Sequence, residues 1–365
     1  MNNSRKSRTY LWTQNLATWF ATAKRPMPWR DTRDPYRIWL SEIMLQQTQV
    51  ATVIPYYERF LLKFPTVSEL AAAHQDEVLK LWAGLGYYSR ARNLHRGAQT
   101  IVERFGAKMP ETPELILEIP GVGDYTAGAI LSIAFSLPEA LVDGNVARIF
   151  ARLLLLEGDW RAGEGKRAVW QVARTAVAEA HAAGINPGDF NQALMELGAT
   201  VCTPRSPLCA QCPITAFCAA RKKGVQDLYP QLKERAESPV WKLRAWAVRD
   251  KGKLLFAQRA DEGLFGGLWE LPTERVEKKA PSTPKPFARV THVLSHRVLK
   301  IEAVETSLRE WRARVPNDVD FACWSGRYRH FRRLRIEDAQ SGAVALSAVQ
   351  LKILSLCADK NSLFD

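Results

Sequence analysis

The sequence has no apolar run long enough to cross a bilayer. Its longest aliphatic run, Leu153–Leu156, falls far short of the roughly 20 residues a spanning helix requires. No apolar segment follows the polar, basic start Met1–Tyr10, so no secretory signal is read there. These absences give the expectation of a cytoplasmic protein, nucleoid-associated if the source is prokaryotic, with no membrane partner. Internal repeats and low-complexity tracts are also missing, which excludes solenoids and repetitive linkers. Acidic residues are in deficit, 38 Asp and Glu against 51 Lys and Arg, for a net charge of +13. That balance suits a polyanionic partner, the alternative being a merely basic soluble protein. Cysteine is scarce: there are six, and four of them fall between Cys202 and Cys218. In a reducing compartment such a cluster points to metal ahead of disulfides.

What is present describes a folded chain of two domains. It has 365 residues, 47% hydrophobic and 24% charged, more than one compact core usually serves. From about Leu11 to Ala220 apolar residues recur at helical spacing, as at Ile38, Leu45, Ile54 and Phe60. Short segments punctuate the helices: Lys63-Phe64-Pro65, Gly84-Leu85-Gly86, Pro120-Gly121-Val122-Gly123 and Asn186-Pro187-Gly188. The charged stretch Arg221–Ser238 reads as a linker. Beyond it, Trp241–Val248 alternates as a strand and is followed, after Asp250-Lys251-Gly252, by Lys253–Ala257, the pattern of a hairpin. Strand-like pieces recur at Val298–Val304 and Phe321–Trp324, and Ser347–Cys357 is helical in pattern. The expected boundaries are 1–220 for a mostly α domain, 221–238 for the linker and 239–365 for an α+β domain.

Cys202, Cys209, Cys212 and Cys218 are spaced C-x6-C-x2-C-x5-C. Only Cys209 and Cys212 form the close pair that zinc sites favour, and the wider gaps suit an iron–sulfur cluster, with a zinc knuckle as the alternative. Cys323 and Cys357 stand alone and read as small packed hydrophobes. Upstream, Ile119–Gly128 lies between helical stretches. Gly121 and Gly123 allow a tight turn, and the amides opening the next helix can hold a DNA phosphate; an ordinary helix–helix turn is the other reading.

A helix-hairpin-helix, then an aspartate, then this cysteine spacing resembles the endonuclease III superfamily of DNA glycosylases over roughly residues 11–220. Within it the chain is most similar to the A/G-specific adenine glycosylase (MutY-type) family. Three features carry that likeness: Ser41-Glu42-Ile43-Met44-Leu45-Gln46-Gln47-Thr48-Gln49, Val142-Asp143-Gly144-Asn145-Val146 with Arg148, and a second domain after the cysteines. The resemblance implies a 4Fe-4S cluster on Cys202, Cys209, Cys212 and Cys218. It also implies a monomer acting on double-stranded DNA with adenine opposite 8-oxoguanine or guanine, and base excision without strand cleavage.

The resemblance makes Glu42 the acid that protonates adenine at N7. Its neighbours Ile38, Trp39, Leu40, Ile43, Met44 and Leu45 are apolar, and desolvation raises a carboxyl pKa; a surface Glu on an amphipathic helix is the rival reading. Asp143, just before the helical stretch Val146–Leu156, is expected to stay ionised at a helix N-terminus and to steady the oxocarbenium sugar; plain helix capping is the rival. In bifunctional relatives a lysine occupies the position of Tyr125. A phenol forms no imine, so Tyr125 argues for a monofunctional enzyme, with an assisting role beside Asp143 or simple packing. By the same likeness Arg30, in Pro28-Trp29-Arg30, contributes to the base pocket. Gln47 and Tyr87 fill the gap left by the extruded base, Leu45, Leu85 and Thr48 are further DNA contacts, and Gly121 and Gly123 hold the phosphate.

The second domain resembles the nucleotide-recognition domain of that family, whose fold is shared with Nudix hydrolases through Gly267-Leu268-Trp269-Glu270-Leu271-Pro272. After Pro272 come Glu274, Glu277 and Lys278-Lys279 with no magnesium-binding glutamate helix, so nucleotide hydrolysis is not expected. The loop Thr291–His296 resembles the family's lesion-reading loop, implying contacts from Ser295 and His296; Leu294 stands where that loop usually carries phenylalanine. Asp124 stands where arginine is common. The rival functions are a bifunctional glycosylase/lyase, a non-catalytic damage-binding protein and, weakest, a Nudix hydrolase.

Overall fold

A computed structural model describes residues 2–233, 237–276, 284–314, 322–323 and 326–361. Its contacts divide the chain into two compact units, Met1–Ala71 with Arg96–Arg235, and Ala72–His95 with Ala236–Asp365. The helices before the strands are α1 (Asn2–Ala23), α2 (Pro35–Leu45), α3 (Val50–Lys63), α4 (Val67–Ala72), α5 (Gln75–Trp82) and α6 (Ser89–Phe105). They continue with α7 (Pro113–Ile116), α8 (Asp124–Phe135), α9 (Gly144–Leu154), α10 (Gly163–Ala182), α11 (Pro187–Thr200) and α12 (Ala219–Lys223).

The caps of the first unit are written in its sequence. Asp34 accepts the Tyr36 amide at 2.9 Å and Pro35 takes the first position of α2, where a missing N–H is harmless. Beyond the cap α2 is apolar on nearly every side, and Tyr36 through Met44 are buried apart from Arg37. The Asn186-Pro187-Gly188 segment, read as punctuation, is the cap and first turn of α11. At the hairpin Gly121 has φ +84°, a conformation that favours glycine.

The charged stretch expected to be a linker is docked against the first unit over residues 221–233. Arg152 of α9 donates Nε to the carbonyls of Gln226 (2.8 Å) and Tyr229 (3.0 Å), and Asp159 accepts the Lys233 amide at 3.1 Å. Composition misses this because the stretch is held mainly through its backbone, with the Gln231 side chain accepting the Gly158 amide at 3.3 Å as well. Residues 234–236 of that expected linker lie outside the described residues.

The second unit holds a mixed sheet of β1 (Val240–Asp250), β2 (Lys253–Arg259), β3 (Trp269–Glu270), β4 (Thr273–Arg275), β5 (Ala288–Leu294) and β6 (Arg297–Ser307). After α13 (Leu308–Arg314) come β7 (Ala322–Cys323), β8 (Gly326–Leu334), α14 (Ile336–Asp338) and α15 (Ala348–Asn361). The order is β5-β6-β1-β2-β8-β7, with β3 on β2 and β4 on β1. The expected hairpin forms, but β1 and β2 are in register only at Arg249↔Leu254 and Asp250↔Lys253. Along its length β1 runs parallel to β6, from Val240↔Val298 to Arg249↔Ser307. One sheet face packs Leu243, Phe256, Ile301 and Ile353, and the other packs Trp246, Val304 and Trp311. Phe321 and Trp324 of an expected strand, Glu277, Lys278 and Lys279, and the Cys323 side chain lie outside the described residues, whereas Cys357 is buried as expected.

Contacts place residues 72–95 in this second unit, whereas the sequence pattern assigns them to the helical domain. Gln75 Nε2 donates to Asp261 (2.9 Å), Gln258 Nε2 to Asp76 (3.0 Å), and Tyr88 Oη to the Leu346 carbonyl (3.2 Å). Partners so distant in sequence leave no periodic trace. Within the sheet, Arg259 (1% exposed) donates Nη1 to Glu270 Oε1 at 2.7 Å, and Tyr328 Oη donates to the same oxygen at 2.6 Å. Glu270→Ala removes the carboxylate that receives both the buried Arg259 guanidinium and the Tyr328 hydroxyl, so it is expected to destabilise the second unit by about 3–5 kcal/mol. Urea unfolding followed by near-UV signal checks this; a loss below about 1 kcal/mol rules out the ion pair as a structural keystone.

Candidate active site

Helix α2 carries Glu42 inward, where the residue is 6% exposed. Tyr125, on the first turn of α8, donates its phenolic O–H to Glu42 Oε2 at 2.7 Å, and its oxygen lies 3.3 Å from Met195 Sδ. Asp143 caps α9: Oδ1 accepts the amides of Asn145 (2.9 Å) and Val146 (2.8 Å), and Oδ2 accepts Asn145 Nδ2 at 2.9 Å. Glu42, Tyr125 and Asp143 line one cavity of about 230 Å³ within the first unit. Arg30, Leu45 and Thr48 line it too, so six of the residues expected from sequence converge on one space.

Burial sets the protonation states. Desolvation drives the Glu42 carboxyl up to about 7; the Asp143 charge adds to this, while the Tyr125 hydrogen bond and Arg30 oppose it. Tyr125 is pushed well above the ordinary phenol range by desolvation and by both carboxylates, so it remains a donor at neutral pH. Asp143, expected to stay ionised at its capping position, is pulled both ways: desolvation moves its carboxyl above the ordinary value against the bonds from Val146 and Asn145 and the charge of Arg148. The cap limits the rise without reversing it.

Several residues that shape the cavity were not found from sequence. Glu196, 1% exposed in its side chain, receives Arg25 Nε at 2.6 Å and Arg30 Nη2 at 2.7 Å. Burial pushes its carboxyl up, but the two arginines hold it below the usual glutamate range. Arg30 is thus fixed beside the cavity through a residue 166 positions away, which no local pattern reveals. Gly198 lets α11 close on α9: a Cβ there would stand 2.4 Å from the Cβ of Asn145, the residue holding Asp143.

The remaining expected residues lie elsewhere. Gln47 (φ +58°) and Tyr87 (φ +48°) are both exposed and in the left-handed region, a strain that clusters at functional positions. Leu85 is 5% exposed, so its side chain is packed inward. Gly123 precedes α8 with no side-chain cap bond, and a Cβ there would meet nothing within 4 Å, which leaves open space at the helix start beside exposed Gly121. Asp124 opens α8 and is exposed. Ser295 and His296 are exposed, bonded to each other at 3.2 Å, and line a larger cavity within the second unit together with Tyr87.

The four cysteines are half-buried and free of disulfides. Burial pushes the Cys212 thiol up to about 12, and the neighbouring Cys202, Cys218 and Cys209 sulfurs add to the effect, so the four form one electrostatic group. Among the described residues no set of three or more His, Cys, Asp or Glu side chains is arranged to hold a single metal ion. Four sulfur donors fit an iron–sulfur cluster, which would tie together the loop that carries them. Arg148 and Arg152, one turn apart on α9, anchor that loop by donating to the carbonyls of Cys202 (2.7 Å) and Thr203 (2.7 Å). No helix among the described residues is long and apolar enough to cross a membrane.

Comparison with known proteins agrees with this architecture. The sequence model for HhH-GPD superfamily base excision DNA repair proteins matches residues 40–175. The iron-sulfur binding domain of endonuclease III matches residues 202–218, and the NUDIX domain matches 244–356. A thermostable thymine-DNA glycosylase structure aligns with TM-score 0.53 at 29% identity, covering 60% of this chain and 99% of that one. The human adenine DNA glycosylase is 39% identical over 73% of this chain, which spans 59% of that protein's length. The rat adenine DNA glycosylase is 36% identical over 81% of this chain and 70% of its own length. The 4Fe-4S loop, the helix-hairpin-helix unit and the Nudix-like unit occur here in one chain, and this chain belongs to the adenine DNA glycosylase family.

Proposed function

We propose that this chain is a monofunctional glycosylase that excises adenine paired with 8-oxoguanine, or with guanine, from duplex DNA. The reading rests on one observation: a buried carboxyl whose pKa is raised to about 7 shares a cavity with a second, capped carboxylate. Adenine leaves a sugar poorly unless protonated. In this reading Glu42 in its acid form gives a proton to N7 of a flipped-out adenine, and Asp143, as the anion, steadies the positive sugar. Tyr125 orients Glu42 through its hydrogen bond and offers no amine for imine formation. The cavity lining contains no lysine among the described residues, which supports base removal without strand cleavage.

The DNA contacts follow the same logic. The open start of α8 beside Gly121 and Gly123 suits a phosphate, since its first amides lack a side-chain cap. Exposed Gln47 and Tyr87 are the candidates to fill the gap left by the extruded base. Ser295 and His296 are the candidates to meet the opposite base. With a net charge of +13, phosphate contacts are expected to dominate affinity.

The decisive experiment is excision on duplexes carrying adenine opposite 8-oxoguanine, guanine, cytosine and thymine. Turnover opposite 8-oxoguanine and guanine is expected; no adenine release from any of them overturns the reading. Glu42→Gln is expected to bind the lesion duplex but to lose adenine release by about a thousandfold or more, on the scale of a lost general acid. Undiminished single-turnover rates in that variant remove Glu42 from its role.

The wild-type pH profile of kcat/KM is expected to fall as pH rises above about 7, where Glu42 loses its proton. It should also fall at acid pH as Asp143 gains one, with that limb displaced upward from the ordinary aspartate range. A flat profile between pH 6 and about 9 would contradict the acid assignment. Stability adds an independent readout. The folded Glu42 pKa, about 7, lies above the ordinary 4.5, so its ionisation opposes folding increasingly as pH rises between those values. Gln is neutral throughout. Glu42→Gln should therefore match wild type near pH 4 and become more stable above pH 7, by an upper bound of about 3 kcal/mol. Thermal melts at both pH values check the sign.

A further inference from the structure

Three neighbouring strands of the second unit bring cationic side chains onto one face. In the register of the sheet, Thr291 of β5 stands beside Lys300 of β6, and Lys300 beside Lys242 of β1. Two residues along, Arg289 stands beside Glu302, and Glu302 beside Arg244, which is itself paired with Glu274 of β4. Residues two apart on a strand share a face, so the two rows form one patch, on the face of β5 opposite to His292 and Leu294. The patch borders a cavity of about 370 Å³ within this unit.

Its charges do not balance. Arg289 Nε donates to Glu302 at 3.1 Å, and Arg244 Nη1 donates to Glu274 at 3.1 Å. Lys242 and Lys300 are exposed, and no ion pair or hydrogen bond holds either ammonium among the described residues. Four cations against two carboxylates leave two positive charges uncompensated, on strands about 4.8 Å apart. Like charges set opposite each other oppose folding, so this pair is not there for the sheet. Arg244 is 7% exposed, its guanidinium carbon 5.6 Å from the centroid of the Trp246 ring. Its buried Nε–H meets no acceptor among the described residues, a state that is costly unless something outside the chain relieves it. No aromatic side chain lines this cavity among the described residues, so it offers no stacking plane for a base. Two untethered ammonium groups beside a fixed guanidinium suit the tetrahedral oxygens of a phosphate.

We propose that this sheet face is a phosphate site for the DNA backbone, Lys242 and Lys300 taking phosphodiester oxygens in front of the buried Arg244 guanidinium. This rests on the reading that the chain acts on duplex DNA. Thr291 precedes Ser295 by four residues, roughly 13 Å along the strand. About four nucleotides of one DNA strand span that length, so a strand met at Ser295 carries its next phosphates past the lysines. Contacts of this kind hold the duplex in place and carry no sequence information. The site therefore adds affinity and register on the side of the second unit, with no preference for the lesion.

The test is equilibrium binding of the full chain to an undamaged duplex and to one with adenine opposite 8-oxoguanine, by fluorescence anisotropy over a series of salt concentrations. The parent is Glu42→Gln, so that adenine stays in place during titration. The site variant adds Lys242→Gln and Lys300→Gln. The control adds Lys251→Gln and Lys253→Gln, an exposed pair that removes the same charge roughly 30 Å along β1. Each lost phosphate contact lowers the slope of log K against log salt by about 0.9, so the site variant is expected to lose about one to two from that slope, equally on both duplexes, and the control less than about half of one. Lys242→Arg with Lys300→Arg is expected to keep the parent slope. An unchanged slope in the site variant overturns the proposal. So does an equal fall in the control, which marks a diffuse field, or weakening confined to the lesion duplex, which marks base reading. Inorganic phosphate and pyrophosphate, titrated by calorimetry, distinguish the source: binding of either that the site variant loses, with its slope on DNA unchanged, assigns the cavity to a free anion and overturns the DNA assignment. A parent that binds neither duplex sinks the DNA reading itself, and is thereby told apart from failure of this site.

Discussion

The proposed chemistry depends on one hydrogen bond formed out of water, from the Tyr125 phenol to the Glu42 carboxyl at 2.7 Å. Desolvation favours the neutral carboxyl, and a free carboxylate would be useless as an acid. The phenol pulls the pKa back, the neighbouring Asp143 pushes it forward, and the balance falls near 7. Tyr125 stays neutral because the same burial that raises Glu42 raises it further. A donor that cannot ionise at working pH fixes the acid in place without competing for its proton.

The scaffold serves that balance through helix ends. Asp143 is held by two amides at the start of α9, and Asn145 doubles the grip from its side chain. Farther along the same helix, Arg148 and Arg152 bind the cysteine loop by its carbonyls. Helix α9 therefore joins the iron–sulfur loop to the anionic half of the cavity with a rigid rod. Glu196 plays the corresponding part on α11, gathering Arg25 and Arg30 at the rim. Charged groups here are buried in satisfied sets, which is the condition under which buried charge is tolerated.

In the second unit the constraint is the parallel pairing of β1 and β6. It brings residues 240–249 against 298–307 and leaves β5 at the sheet edge, where its end can carry the exposed pair Ser295 and His296 and the half-buried His292. Periodicity identified both strands, but a strand pattern is silent about its partner. The hairpin read from Trp241–Val248 and Lys253–Ala257 was correct in its turn and incomplete in its pairing, since only the last residues of β1 face β2.

The sequence by itself determined what depends on neighbours along the chain. Helix starts at Asp34-Pro35 and Asn186-Pro187, the cysteine spacing, the tight turn at Gly121 and the absence of a lysine at position 125 are all local facts, and local physics reads them. The inward-facing Glu42 was legible only through the family resemblance, since its neighbours Ile38, Trp39, Leu40, Ile43 and Met44 by themselves favoured a surface glutamate on an amphipathic helix. Only the tertiary structure decided how much each carboxyl is desolvated, why Asp143 rises despite its cap, which acid holds Arg30, and why residues 72–95 belong with the sheet. Those outcomes hang on groups more than a hundred positions apart, such as Arg30 with Glu196 and Gln75 with Asp261. Distance in sequence carries no electrostatic information; distance in space does.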